Sequence, residues 1–278
     1  MNNNASTAQR AERSICKTYR KEIWNPFIEA VKKYELIKEN DKIAVCISGG
    51  KDSMLLAVLM RVLKRFTEIP FELCFIVMDP GYNQINRLKI EYNARQLEIP
   101  VHIFDADIFN VVKKIDKNPC YLCARMRRGH LYSMAQSLGC NKIALGHHFN
   151  DVIETTLMGM LYGSQIQGML PKLHSTSHPG MELIRPLYCV NEKAIINWAR
   201  YNELEFIACA CRFTEENEKE NCKTNTSKRL EIKNLIKELK KTNPNVDKNI
   251  FNSIHKVNAD TLVGYKINGE EHTFLDNY

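Results

Sequence analysis

The chain has 278 residues, 44% of them hydrophobic, enough for one large or two small domains with a sizeable core and with disorder confined to the ends. Residues 1–14, MNNNASTAQRAERS, lack the apolar stretch of a signal peptide, and no apolar run reaches the ~18 residues of a membrane span, so the expectation is a soluble cytoplasmic protein with no membrane partner. A net charge of +7 fits an anionic partner such as RNA, and ten cysteines in a reducing compartment point to metal binding or chemistry rather than to disulfides.

In chain order, apolar β-rich runs alternate with segments of helical period. KIAVCIS (42–48) predicts a buried strand, and MLLAVLMRVLKRF (54–66) the helix after it. FELCFIVM (71–78) is a second strand, NQINRLKIEYNARQLE (83–98) a helix, and VHIFDA (101–106) a third strand. CARMRRGHLYSMAQSL (123–138) is a helix, KIALGHH (142–148) a strand, and NDVIETTLMGML (150–161) a helix. From residue 162 a Gly/Pro/Ser/His loop leads to a short strand at 182–187, a helix at 191–202 and a last strand, EFIACAC, at 205–211. A polar stretch, 212–226, and a basic helical tail complete the chain. The alternation predicts an α/β fold, a parallel sheet with helices on both faces, with flanking helices at each end.

The first strand runs through SGGKDS into a helix. The Walker pattern is absent, so this is not an ordinary P-loop. The segment can still hold phosphate. Gly49 and Gly50 let the backbone turn tightly, Ser48 and Ser53 offer hydroxyls, Lys51 adds a cation, and the helix N-terminus favours negative charge. Asp52 has no role in a bare phosphate cradle unless a Mg²⁺ bridges it to the phosphates. SGGKDS resembles the PP-loop of the N-type ATP pyrophosphatases, which cleave ATP to AMP and pyrophosphate and adenylate a carbonyl oxygen. KIALGHHFNDVIET (142–155) resembles that family's LGHHxDDxxET segment, with Asn150 where the first Asp is usual. There Gly146 lets the backbone pass close to a nucleotide, and His147 and His148 face phosphate or substrate. Asp151 has two readings, a helix cap or a metal or substrate ligand.

Of the cysteines, Cys16, Cys46, Cys74, Cys140 and Cys189 sit in apolar or helical settings as small core fillers. Cys120 and Cys123 form a CxxC between the third strand and a helix, open to reading as a redox dithiol, half a zinc site or two cluster ligands. No second CxxC follows; Cys209, Cys211 and Cys222 are the candidates for a third ligand. PCYLCARMRRGHLY (119–132), GMLPKL (168–173), LIRPLYCVNE (183–192) and the late SKR helix resemble the tRNA 2-thiocytidine synthetase family over residues ~20–264.

That resemblance implies a PP-loop domain over 23–211, with a polar segment, 1–22, before it and the loop and tail, 212–278, after it. It implies ATP, Mg²⁺ and a 4Fe–4S cluster as cofactors, tRNA as substrate with thiolation at cytidine 32, a cysteine desulfurase as sulfur donor, and a homodimer. Carried onto this chain, Ser48, Gly49, Gly50, Lys51, Asp52, Ser53, Gly146 and His147 bind nucleotide. Lys51, Asp52 and Asp151 are the catalytic candidates, and Cys120, Cys123 and Cys211 the cluster ligands. Cys211 is taken because it falls five after an aromatic residue, Phe206, as in relatives, and lies later in the expected strand. Arg125, Arg127 and Arg128 read as tRNA phosphate contacts. Two departures from the family stand out: the second CxxC is CAC, and RFTEENEKEN replaces the stretch after it. The alternatives are a 2-thiouridine enzyme of the same fold, whose relatives carry N-terminal cysteine fingers, and a non-catalytic RNA-binding or redox module.

Overall fold

A strand apolar at nearly every position needs cover on both faces, and Lys42–Ile47 (β1) receives it. The computed structural model of the protein describes residues 5–106, 108–109, 119–207 and 228–278, the side chains of 119–121 and 277 excepted. Ile43, Val45 and Ile47 face one core, packed with helix Lys51–Phe66 (α3); Ala44 and Cys46 face the other, packed with Tyr132 and Ala135 of helix Pro119–Ser137 (α5). The period of two along the strand produces this division.

Six strands form the sheet: β1, Glu72–Asp79 (β2), Val101–Asp105 (β3), Lys142–Ala144 (β4), Lys172–His174 (β5) and Glu182–Ile184 (β6). Their order is β3-β2-β1-β4-β6-β5, parallel except where β5 pairs antiparallel with β6. From β1 the chain moves first to one side, through β2 and β3, and then returns to the other at β4. The C-terminal ends of β1 and β4 therefore bound the switch point where an open α/β sheet forms its ligand crevice.

Contacts divide the chain into two compact units, Met1–Asp151 with Leu170–Asn225, and Val152–Met169 with Thr226–Tyr278. The first holds the sheet. It also holds Thr7–Cys16 (α1), which Ser6 starts through a capping box: Ser6 Oγ accepts from Gln9 N (3.2 Å) and Gln9 Oε1 from Ser6 N (3.1 Å). Although the segment is polar in composition, Ala11 and Ile15 are fully buried, and Glu12 pairs with Arg61 (2.6 Å) and Arg65 of α3. Asn25–Lys33 (α2) and Gln84–Gln96 (α4) complete its early helices; Glu192–Tyr201 (α7) buries Trp198, whose Nε1 donates to Ala11 O (3.3 Å). The second unit holds most of Phe149–Gly163 (α6), Lys228–Thr242 (α8), Val246–Ser253 (α9) and a hairpin of Gly264–Ile267 (β7) and Glu270–Thr273 (β8). Buried Ile232, Ile236 and Phe251, and the pair Arg229–Glu154 (3.3 Å), belong to it.

Five expectations change. The strand expected at 182–187 ends at Ile184, and the stretch expected as loop before it contains β5. The fourth strand ends at Ala144 instead of 148, because the chain leaves the ladder to carry Leu145–His148 past the start of α3. Residues 205–207 are not strand: Glu205 O accepts from Asn93 Nδ2 (2.9 Å) and Phe206 stacks parallel to Trp198 at 6.4 Å, so this stretch packs on helices; the rest of that segment lies outside the described residues. The tail is not all helix. Asn268 and Gly269 both have positive φ (53° and 91°), the two-residue hairpin turn that Asn-Gly favours. Of the cysteines expected as core fillers, Cys46 and Cys140 are buried, whereas Cys16, Cys74 and Cys189 are only partly so; burial pushes the Cys140 thiol up to about 12 and Cys189 up to about 11.

At the N-terminal edge of the sheet, Lys142 is buried with Nζ 2.9 Å from both Asp41 and Glu182, and it donates to Leu36 O (3.1 Å). Burial raises the Glu182 pKa, but the hydrogen bond and charge of Lys142 outweigh it, and the carboxyl is held below its usual range. Its contribution to stability is thus full above the unfolded value of about 4.3 and is lost as pH falls through the lower folded one. Lys142→Met leaves buried Asp41 and half-buried Glu182 without their cation. Urea titration should show a loss of about 3–5 kcal/mol, and the acid transition, followed by far-UV circular dichroism, should begin at higher pH than in the wild type.

Candidate nucleotide and cluster site

β1 ends at Ile47, and the next six residues fold into a cradle through their own hydroxyls. Ser48 N donates to Ser53 Oγ (3.1 Å), Ser53 Oγ donates to Gly50 O (3.0 Å), and the two seryl oxygens lie 3.2 Å apart. Gly49 has φ +85°, and a Cβ on it would lie 2.5 Å from Ile90 Cγ1 and 2.7 Å from Ile207 Cδ1. Only glycine fits there on both counts. Gly50 caps α3, whose first N–H groups open toward the loop.

β4 brings the second half. Gly146 runs against the start of α3 so closely that a Cβ would meet Ser53 N at 3.0 Å and Asp52 C at 3.1 Å. Between the two strand ends lies a cavity of about 310 Å³, lined by Ser48, Asp52, Ser53, Gly146, His147 and Asp151 among others. Six of the sequence-predicted residues therefore share one cavity, at the switch point the sheet order defines. Lys51 points along the loop, with Nζ 3.1 Å from Asp52 Oδ2 and 3.3 Å from Glu192 Oε1.

The electrostatics suit a polyphosphate with a cation. Desolvation works against the Lys51 charge, but Asp52 and Glu192 more than offset it and raise its pKa, so the ammonium persists. Asp52 Oδ1 is buried and has no hydrogen-bond partner, with His148 Nε2 3.8 Å away. An orphaned carboxylate oxygen beside a glycine cradle fits a divalent cation on a nucleotide's phosphates. Asp151 takes part in a cap: its Oδ2 accepts from His148 N (2.9 Å), and Asp151 N lies 3.4 Å from His148 Nδ1. It also lines the cavity.

The cysteine pair lies inside a helix, in the opening turns of α5, rather than before it. The i, i+3 spacing puts positions 120 and 123 on one face. Cys123 is buried and close enough to Tyr82 to act on it electrostatically. Two thiol positions one turn apart suit two of the three ligands of a three-thiolate cluster site. Cys209, Cys211 and Cys222 lie outside the described residues, and among the described residues no group of three metal-ligating side chains is assembled.

Arg127 is placed differently from its sequence reading. It lies one turn after Cys123, is half-buried, lines the cavity, and donates from Nη2 to Tyr82 Oη (3.2 Å), while Arg125 and Arg128 are exposed. Tyr82 is held in turn by Asp79, which accepts from Gly81 N (2.8 Å) and Tyr82 N (2.6 Å) and pairs with Arg87 (2.6 Å). Residue-by-residue reading missed Asp79, Tyr82 and Glu192; Tyr82 and Glu192 meet Arg127 and Lys51 across 45 and 141 residues of chain. The i+4 step from Cys123 to Arg127 was the available signal for Arg127.

A glycine cradle at a parallel-sheet switch point, with an acidic residue bare toward its cavity, defines a nucleotide-binding α/β protein. A family model described as a PP-loop domain matches residues 17–235. A tRNA-cytidine(32) 2-sulfurtransferase of Paraburkholderia xenovorans is 37% identical over 246 residues, covering 86% of this chain and 69% of that protein. One from Geobacter sulfurreducens is 33% identical over 251 residues, covering 89% of this chain and 94% of its own. The chain therefore belongs to the PP-loop family and, within it, to the tRNA-cytidine(32) 2-sulfurtransferases. In fold it is similar to the U34-tRNA thiolase NcsA of Methanococcus maripaludis, solved with its [4Fe-4S] cluster, with a TM-score of 0.64 and 22% identity over 88% of this chain and 82% of that one.

The three glycines should separate in their effects. Gly49→Ala combines a positive φ with a clash and should cost about 1–3 kcal/mol in urea unfolding. Gly50→Ala meets nothing nearer than Ser48 Oγ at 3.7 Å and should fold like the wild type. Gly146→Ala should cost stability and weaken ATP binding by about tenfold or more in calorimetry, because the added methyl presses on the backbone of the cradle.

Proposed function

We propose that this protein catalyses ATP-dependent thiolation of tRNA, replacing the carbon-2 oxygen of cytidine 32 with sulfur. The observation that carries the reading is the placement of one helix: α5 contributes Cys123 and, one turn later, Arg127, which lines the same cavity as the SGGKDS cradle. The activity named for its relatives supplies the substrate.

In this reading the helix N–H groups, Ser48, Ser53 and Lys51 bind the phosphates of ATP, and Gly146 and His147 close the nucleotide's side of the cavity. Asp52 and Asp151 would hold Mg²⁺, which when bound screens the phosphate charge. A loop nucleotide enters unstacked, as single-stranded RNA permits. Its carbon-2 carbonyl oxygen attacks the α-phosphorus, and pyrophosphate leaves. The oxygen now departs as part of AMP when sulfur adds to the carbon, so a poor leaving group has become a good one. Arg127 sits where it can stabilise charge on the adenylate. Cys120, Cys123 and Cys211 would hold the 4Fe–4S cluster, which when bound supplies the sulfur-delivering centre. A cysteine desulfurase as donor, a homodimer and a cytoplasmic setting belong to the same reading.

Lys51→Ala and Asp52→Ala should melt like the wild type and lose tRNA-dependent AMP formation by about 100-fold or more; near-normal rates in both would sink the nucleotide assignment. Anaerobically purified Cys123→Ala and Cys211→Ala should lack iron and sulfide, whereas Cys209→Ala and Cys222→Ala should keep them. Mass spectrometry of tRNA nucleosides from a deletion strain should show 2-thiocytidine missing, restored by the wild-type gene alone.

A further inference from the structure

Tyr162 is an aromatic ring that the reaction above leaves unused. It stands in the last turn of α6, next to exposed Met160 and Leu161, with exposed Ile166 just beyond the helix. Its own ring is 43% exposed. An apolar surface patch with an aromatic ring in it marks a place where something binds.

The ring is held in one orientation. Its Oη donates to Glu231 Oε2 (2.6 Å), and Lys228 Nζ stands over it, 4.9 Å from the centroid. Both partners come from the first turn of α8, which Arg229 ties to α6 through Glu154 (3.3 Å) and Thr155 Oγ1 (3.3 Å). All of these residues lie in the second unit. A ring fixed at its hydroxyl and beneath a cation has already lost the freedom that a ligand would otherwise have to remove.

Charge selects the occupant. α8 carries six basic residues, Lys228 among them, against Glu231 and Glu238, a net charge of +4. A neutral apolar partner has no use for that field, whereas a polyanion does. Aromatic rings set among basic side chains suit single-stranded nucleic acid, because every base has a flat face to stack and every nucleotide a phosphate to neutralise. A loop of RNA offers unpaired bases besides the one that reacts. We propose that Tyr162 is a stacking platform for a second unpaired base of the bound tRNA, held ready by Glu231 and Lys228. The inference rests on the tRNA-thiolating reading and concerns binding, not chemistry.

The test compares Tyr162→Phe, which keeps the ring, with Tyr162→Leu, which keeps only apolar cover. Both changes are at the surface and should melt like the wild type. Binding of tRNA is measured by fluorescence anisotropy between about 50 and 200 mM salt. Tyr162→Leu should bind about tenfold more weakly or worse, and Tyr162→Phe within about twofold of the wild type. Stacking releases no counterions, so the log–log salt slope should be the same in all three proteins. Wild-type affinity in Tyr162→Leu would overturn the site. Equal losses in the two variants would place the effect in the bond to Glu231 and overturn stacking, and so would a slope flattened by Tyr162→Leu, which would mean that the ring only positions Lys228. ATP affinity in the absence of tRNA should not change; a loss there would give the ring to adenine instead. Normal tRNA binding with a changed mass in light scattering would give the patch to a second copy of the chain. A wild-type protein that bound no tRNA would sink the functional reading itself, a result separable from all of these, which compare variants with a wild type that binds.

Discussion

The site depends on one close approach, that of Gly146 to the backbone of Asp52 and Ser53. Parallel pairing sets Ile43 beside Lys142 and Val45 beside Ala144, so the loops after β1 and β4 leave the sheet side by side. They fit only because position 146 has no side chain, a Cβ there meeting Ser53 N at 3.0 Å. A bulkier residue would push the cradle and the histidine segment apart, and the cavity between them would lose its shape. The seryl hydrogen bonds within the loop and the positive φ of Gly49 then hold the cradle in one conformation, so little ordering remains to be done when an anion arrives.

Charge is arranged around that approach with the same economy. Lys51 stands between two carboxylates, one in the loop and one on α7. Glu192 is held at the start of α7 in part because its N–H donates to Asn150 Oδ1 (2.9 Å). Asn150, which replaces the usual aspartate, thus links three segments far apart in sequence, and it does so without adding a third negative charge beside Asp52 and Asp151. An aspartate could accept the same hydrogen bond, but here it would add repulsion where anionic phosphates must bind.

The two edges of the sheet do different work. At the N-terminal edge, Lys142, Asp41 and Glu182 form a satisfied ionic knot, at the opposite end of the strands from the SGGKDS cradle. At the C-terminal edge polar atoms are left bare: Asp52 Oδ1 and Arg185 Nε are both buried without partners. Satisfied groups hold β4 in register with β6, whereas the bare Asp52 oxygen fits a divalent cation. That asymmetry follows from parallel pairing, which gathers every strand-to-helix loop at one end.

The class of fold, and the elements whose signals are local, can be read from the amino-acid order alone. The apolar runs of β1 and β2, the helical period of α3, and Ser48, Gly49 and Gly50 at a strand-to-helix turn all follow from short-range sterics and burial, and the chain folds as they dictate. Asn268-Gly269 carried an equally local signal for the hairpin. Other features had none. The end of β4 at Ala144 is set by the crossing of Gly146 over α3, and residues 205–207 leave the sheet because Trp198 and Asn93 offer partners that no window of sequence contains. Arg127 turned out to line the cavity because Tyr82, 45 residues away in the chain, holds it there. Only the folded structure pairs Lys51 with Glu192 and Asn150 with the start of α7, since each pairing joins segments that meet only when a parallel sheet brings its loops to one edge.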